Sequence, residues 1–280
     1  MHTFTVDAPD VSTAWRRACH QLIALPEAKG YHTLVRIADP CREDPEVRAA
    51  LERLRLAKAK QPMEAVVNTV FPVALAATSK DHDHLVQRYT ALYPRLRAAE
   101  RRNVYGTYFG RLVCYPNGTG TPVDQLGALI ARLRKISSSS QWKAVYEIGT
   151  AYVTDGNETP DSMEAIDGDS GNEPPDLPVR IPAGDTQVLD FPCLSHLSFQ
   201  LDGRTGTVHT AAYYRSHYMF DRAYGNYLAL GQLNRWVAQQ AGLVPGALSV
   251  MSGVARLECP KSYLDIVDAS AQGGLFELPG

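Results

Sequence analysis

The stretch from Leu189 to Glu258 constrains the fold most, because its hydrophobic period changes from two to that of a helix and back within one continuous run. Phe199, Leu201, Val208, Thr210 and Ala212 alternate on either side of Asp202-Gly203-Arg204-Thr205-Gly206, the spacing of two half-buried antiparallel strands joined by a tight turn. A polar passage follows, from Tyr214-Arg215-Ser216 to Gly225-Asn226. The segment from Tyr227 to Ala241 then carries Leu230, Leu233, Trp236 and Val237 on one apolar stripe and stops at Gly242, with Pro245 just beyond. Strand pair, irregular loop, long buried helix and closing strand together predict an α/β (α+β) fold.

A chain of 280 residues with 45% hydrophobic content is long enough to bury a full core, so one large domain spanning 1–280 is expected. The net charge of −2 exerts no general pull toward nucleic acid or an anionic membrane. No apolar run approaches the length of a membrane span, and Met1-His2-Thr3-Phe4-Thr5 lacks the basic and apolar regions of a secretory signal. The expected location is the cytoplasm, without nucleic-acid or membrane partners. Cys19, Cys41, Cys114, Cys193 and Cys259 are scattered and odd in number, with no Cys-x-x-Cys pair, so reduced thiols are expected rather than a disulfide framework or a zinc knuckle.

Toward the N-terminus, a helix is expected from Val11 to about Leu25, capped by Asp10 or Ser12 and burying Ala14, Trp15, Ala18, Leu22 and Ile23. Tyr31 to Ile37 reads as a strand. An amphipathic helix is expected between Asp44 and Lys60, and a buried one from Met63 to Ala77 interrupted at Pro72. Asp81-His82-Asp83-His84 has metal-ligating residue types, but residues two apart on a helix diverge, so the reading is a polar loop, with Ser79 or Asp81 capping a helix that carries Leu85, Tyr89 and Leu92, and no metal site. The run from Thr154 to Pro178 is rich in Asp, Glu, Gly and Pro, has no basic residue and has no apolar period. Such a run cannot bury enough surface to offset its ordering entropy, so residues 154–178 are expected to be a disordered acidic insertion, a solvated loop or a docking segment for a protein partner.

Several quoted pieces stand in the order found in thymidylate synthases and the related pyrimidine-nucleotide hydroxymethylases: Asn103-Val104-Tyr105-Gly106, the helix opened by Asp124-Gln125, His196-x-x-Phe199-Gln200, Tyr214-Arg215-Ser216, Asn226, Ala238-Gln239-Gln240 and Pro245-Gly246. The chain resembles a divergent member of that family. The resemblance implies a large mixed sheet packed with helices, one of them long and buried, and a homodimer formed through the sheet. It also implies a cysteine thiolate that adds to C6 of a pyrimidine, so that C5 attacks a folate-borne one-carbon unit; only an easily ionised nucleophile can do this.

Carried over residue by residue, the resemblance makes Arg215 and Ser216 phosphate-binding, places Asn226 on the pyrimidine edge and lines the cavity with Tyr105. The family pattern Pro-Cys-His, with Gln four residues after the His, meets Pro192-Cys193-Leu194-Ser195-His196-Leu197-Ser198-Phe199-Gln200. Anchoring on His196 and Gln200 makes Ser195 the nucleophile. Anchoring on Pro192-Cys193 keeps the cysteine and requires a two-residue bulge. Strand periodicity would point Cys193 and Ser195 to one face.

The departures are equally specific. Thr69 stands roughly where the family has a catalytic glutamate, with Glu64 more than a turn away. Gln141-Trp142-Lys143 stands where two arginines would reach a partner's nucleotide, and Tyr218 replaces a folate-facing Asp. Val254, Arg256 and Glu258 replace the Asp, His and Tyr of the closing strand, and the tail after Glu258 is short for a folate cover. These changes argue against folate as the cofactor and leave two readings. One is a transferase acting on an unusual pyrimidine nucleotide through Cys193; the other is a catalytically inactive nucleotide-binding or dimeric scaffold.

Overall fold

The computed structural model describes residues 2–99, 107–115, 122–139, 146–150 and 193–272. Tyr105, the Gln141–Lys143 segment and the acidic run 154–178 lie outside these residues.

The strands are β1 (Thr5–Asp10), β2 (Lys29–Asp39), β3 (Tyr146–Gly149), β4 (Leu194–Asp202), β5 (Thr207–Tyr218) and β6 (Val244–Arg256). The helices are α1 (Val11–Ile23), α2 (Pro45–Ala57), α3 (Met63–Val70), α4 (Val73–Ala77), α5 (His82–Ala99), α6 (Tyr108–Val113), α7 (Gln125–Ser139), α8 (Tyr224–Ala241) and α9 (Lys261–Ala271). The strands form one six-stranded mixed sheet in the order β1-β2-β6-β5-β4-β3, parallel at β1–β2 and β5–β6 and antiparallel elsewhere.

Register explains which face is core. Val6, Val35, Val250, Ala212, Leu197 and Ile148 are successive cross-strand partners, one from each strand, and all six are buried. The neighbouring row, Thr5, Leu34, Met251, Tyr213, His196 and Gly149, is exposed or half-buried throughout. Because side chains alternate along a strand, one residue of register separates the apolar face from the polar one.

The longest buried helix, α8, lies against β5 and β6 and buries residues around nearly its whole circumference. It ends as its sequence predicts: Gly242 adopts φ 71°, a left-handed conformation that favours glycine, and its N–H reaches the carbonyls of Ala238 and Gln239. Gly231 has a different role, since a Cβ there would meet the Pro40 carbonyl oxygen at 2.1 Å. The helix begins at Tyr224, three residues before the apolar stripe, because the polar passage before it is itself wound.

The N-terminal expectations resolve in detail. Asp10 caps α1 by accepting the Thr13 N–H at 2.8 Å. Ser12 instead bonds the Tyr224 hydroxyl at 2.8 Å and accepts the Asp44 N–H at 2.8 Å, tying α1 to α8 and to the start of α2. Phe71-Pro72 breaks the next helix into α3 and α4, as the missing proline N–H requires. His82 is 4% exposed and bonds Asp124 at 2.7 Å, whereas the His84 Nδ1 accepts the Lys80 N–H at 3.1 Å, so the two histidines do not converge. Among the described residues no group of three or more His, Cys, Asp and Glu could hold a metal ion, and no helix is long and apolar enough to cross a membrane.

Candidate functional site

Cys193 stands immediately before β4, where that strand begins beside the end of β5. The Arg215 N–H donates to the Cys193 carbonyl at 2.7 Å, so the backbone itself brings Arg215 alongside the thiol residue. On the other side Tyr108, on α6, accepts the Cys193 N–H at 3.0 Å and the Leu194 N–H at 3.3 Å. Thr107 caps that short helix by accepting the Gly110 N–H at 3.0 Å, and its hydroxyl bonds Tyr89. Tyr108 is thus held at its hydroxyl by β4 and at its backbone by the capped helix.

The thiol is half-buried, and burial pushes it above its ordinary range. Arg215, then Arg222, then a hydrogen bond from the Ser216 N–H act in the opposite direction. Near neutral pH the net balance keeps the sulfur protonated and weakly nucleophilic. Burial also pushes the Tyr108 hydroxyl up, to about 12, so it is a neutral phenol at working pH. Tyr214 is 1% exposed, and among the described residues its hydroxyl has no hydrogen-bond partner. It acts electrostatically with Cys193 and Tyr108, so three ionisable but neutral groups meet here.

Asn226, one turn into α8, is buried and its Nδ2 lies 3.0 Å from His217 Nε2. His217 Nδ1 in turn lies 3.1 Å from the Ser252 hydroxyl, and its ring stacks on Tyr214 at 4.2 Å between centroids and 3° between planes. Burial pushes this histidine down to about 3, so the ring is neutral. With Nε2 accepting from the Asn226 amide, Nδ1 carries the proton and donates to Ser252. This chain orients the Asn226 amide from within the protein.

β4 is irregular where the two nucleophile alignments diverge. Leu194 pairs with Tyr214 and His196 with Tyr213, so two residues of β4 face one step of β5 and Ser195 is left over. Leu194 and Leu197 are consequently both core residues, and the strict alternation expected from Cys193 to Ser195 fails because a bulge resets the parity. Ser195 is half-buried and donates to the Cys193 carbonyl at 3.5 Å.

His196 belongs to the outer row, ion-paired with Glu147 on β3. Glu147 also accepts from Ser198 at 2.9 Å, and Gln200 donates to Ser198 at 3.3 Å. The structure therefore groups Cys193, Ser195, Arg215 and Ser216 at one place, with Asn226 buried beside His217, and gathers His196 and Gln200 into a separate polar row. Thr69 donates to the Val66 carbonyl at 2.6 Å and Glu64 pairs with Arg48 at 2.8 Å. Neither acts on the thiol.

The comparisons agree in kind. No family model matches the chain. Over 77 residues it is 34% identical to a protein of Methanococcoides burtonii described as "Putative thymidylate synthase". The match covers 28% of this chain and 35% of that protein, so it spans about a third of the relative's length. The likeness to thymidylate synthases is distant and partial.

Two residues of the site escape sequence reading. Tyr108 lies three residues beyond the Tyr105 that the motif singles out, on a helix with no clear period of its own. Arg222 is hidden in a passage without helical or strand spacing, and nothing in the linear order ties it to a cysteine 29 positions earlier.

Proposed function

We propose that this chain is a divergent thymidylate synthase-like protein that binds a phosphorylated, nucleotide-type ligand at Arg215 and Ser216, with Cys193 as the nucleophile of a C5 one-carbon transfer on a pyrimidine. The observation that supports this reading is the Arg215 N–H on the Cys193 carbonyl at 2.7 Å, with the Arg215 charge and the Ser216 N–H both favouring the thiolate. A guanidinium and an N–H that can hold an anion are the same groups that favour a thiolate.

A second reading, a nucleotide-binding protein without folate chemistry, is favoured by particular residues. Thr69 is turned into its own helix, Glu64 is spent on Arg48, and Glu258 accepts the Asp221 N–H at 2.6 Å in place of a ribose contact. Losing a general acid or base costs about 10²–10⁴ in rate.

The test is release of the C5 hydrogen from labelled dUMP with methylenetetrahydrofolate present, alongside calorimetric binding of dUMP. Saturable dUMP binding that weakens in Arg215→Gln is expected, with C5 release far below about 1 s⁻¹. Cys193-dependent release at or above that rate would remove the second reading. Absence of binding to dUMP, dCMP and inorganic phosphate would remove the ligand assignment altogether.

The same reading includes a homodimer. The outer sheet row presents Leu34, Met251 and Tyr213 side by side across three strands, with Met251 39% exposed, and among the described residues this exposed or half-buried row suits a second copy. Light scattering at micromolar concentration should give twice the mass of the chain, and Met251→Asp should shift it toward monomer. A wild-type monomer would sink the assignment.

A further inference from the structure

A buried polar chain joins β5, β6 and α8 beside the candidate site. His217 lies on β5, Ser252 on β6 and Asn226 near the start of α8, and all three are 5% exposed or less. Packing and both ring nitrogens fix the His217 imidazole. Tyr214 stacks on one face at 4.2 Å, Tyr227 meets the ring at 79° and 5.6 Å, Ser252 lies 3.1 Å from Nδ1 and Asn226 lies 3.0 Å from Nε2. The chain adjoins the thiol end of the sheet, since Ser216 precedes His217 and Tyr214 is the cross-strand partner of Leu194, next to Cys193.

Asn226 is more than nine-tenths buried, yet among the described residues its Oδ1 has no hydrogen-bond partner and is not one of the atoms sealed from solvent. A primary amide carries two N–H donors and one acceptor oxygen. With one N–H spent on His217 Nε2, Asn226 keeps an oxygen and one N–H for a ligand. That pair complements a pyrimidine edge, but the order of donor and acceptor along the edge is opposite for N3–H with a C4 carbonyl and for N3 with a C4 amino group. A free amide could turn by 180° and read either. Turning the pinned amide would set Oδ1 against the unprotonated Nε2, two acceptors facing each other in a buried place.

We propose that His217 is a positioning residue that determines specificity: by holding the Asn226 amide in one orientation, it makes the site tell apart pyrimidines that differ only at N3 and C4. The inference rests on the reading that this site takes a pyrimidine nucleotide.

The experiment is calorimetric binding of dUMP, dCMP and inorganic phosphate to the full chain, in wild type, His217→Gln, His217→Phe and Ser252→Ala. The wild type should bind one nucleotide about 10-fold or more tightly than the other, the scale of one mismatched buried hydrogen bond. The glutamine variant supplies an amide oxygen in place of Nε2 and should keep the preference. The phenylalanine variant retains a ring on Tyr214 without an acceptor and should bring the two affinities to within about threefold of each other. Ser252→Ala frees the ring at Nδ1, should reduce the preference by a smaller factor, and carries the test if the phenylalanine variant does not fold. A merely structural histidine would lower both affinities or the melting temperature and leave their ratio unchanged. Nucleotide binding without a wild-type preference, or with a preference that survives in the folded phenylalanine variant or, failing that, in Ser252→Ala, overturns the role of His217 and leaves the ligand reading standing. Failure of the wild type to bind any of the three probes overturns both.

Discussion

Arg55 bonds the π-helical turn Met219–Ala223 from α2, Arg222 belongs to that turn, and the two are used in opposite ways. Arg55 is 2% exposed and its two terminal nitrogens serve three backbone carbonyls, those of Phe220, Asp221 and Gln61. Burial lowers its pKa, with Asp221, Glu52 and Glu258 opposing, so the charge is retained through its acceptors. Arg222 is half-buried and has no acceptor among the described residues. The first guanidinium is bonded into the architecture and the second is not. Burial alone does not distinguish a structural cation from a functional one; the list of acceptors does.

The largest effect expected from breaking this contrast is on stability. Arg55→Met should lower the unfolding free energy by about 3 kcal/mol or more, because three buried or part-buried carbonyls lose their donor. Thermal unfolding would read this as a loss of roughly 10 °C, and an unchanged midpoint would show that the turn is held by its other contacts.

A smaller effect sharpens the site side. The folded pKa of His217, about 3, lies below its unfolded value near 6.5, so the unfolded chain binds a proton that the folded chain refuses. This contribution to stability is fully present above about pH 6.5 and is lost as the pH falls toward 3, at about 1.4 kcal/mol per pH unit between those limits. Denaturant titrations at neutral pH and near pH 4 should show that slope, and His217→Gln should flatten it. The smallest effect is on Arg222→Gln, whose unfolding free energy should stay within about 0.5 kcal/mol of wild type. A larger loss would place Arg222 with Arg55 as a structural arginine.

Much of the fold was legible because it depends on local period. The β4–β5 hairpin follows the alternation of Phe199, Leu201, Val208 and Thr210; α8 ends at the predicted glycine; and the break at Pro72 falls where the ring forbids a continuous helix. β1 and α9 were not legible, since Thr5–Asp10 is short and Lys261–Ala271 carries its pattern over only three turns. Of the site, Arg215 and Ser216 were read from their motif and lie beside the thiol. His196 was read from the same kind of motif and lies on the outer row, because the bulge at Ser195 sets which residues of β4 share a face.

The sequence by itself determined the elements, their order and the residue types from which a nucleophile and an anion site could be made, since these follow from side-chain period, glycine and proline constraints and short motifs. Only the tertiary structure decided which of those residues meet. Whether Cys193 has Arg215 for a neighbour, whether Asn226 is oriented by His217 and whether Arg55 is structural are set by strand register and by contacts between residues far apart in the chain. Electrostatics and hydrogen bonding act over a few ångströms of space, and no spacing along the chain encodes that distance.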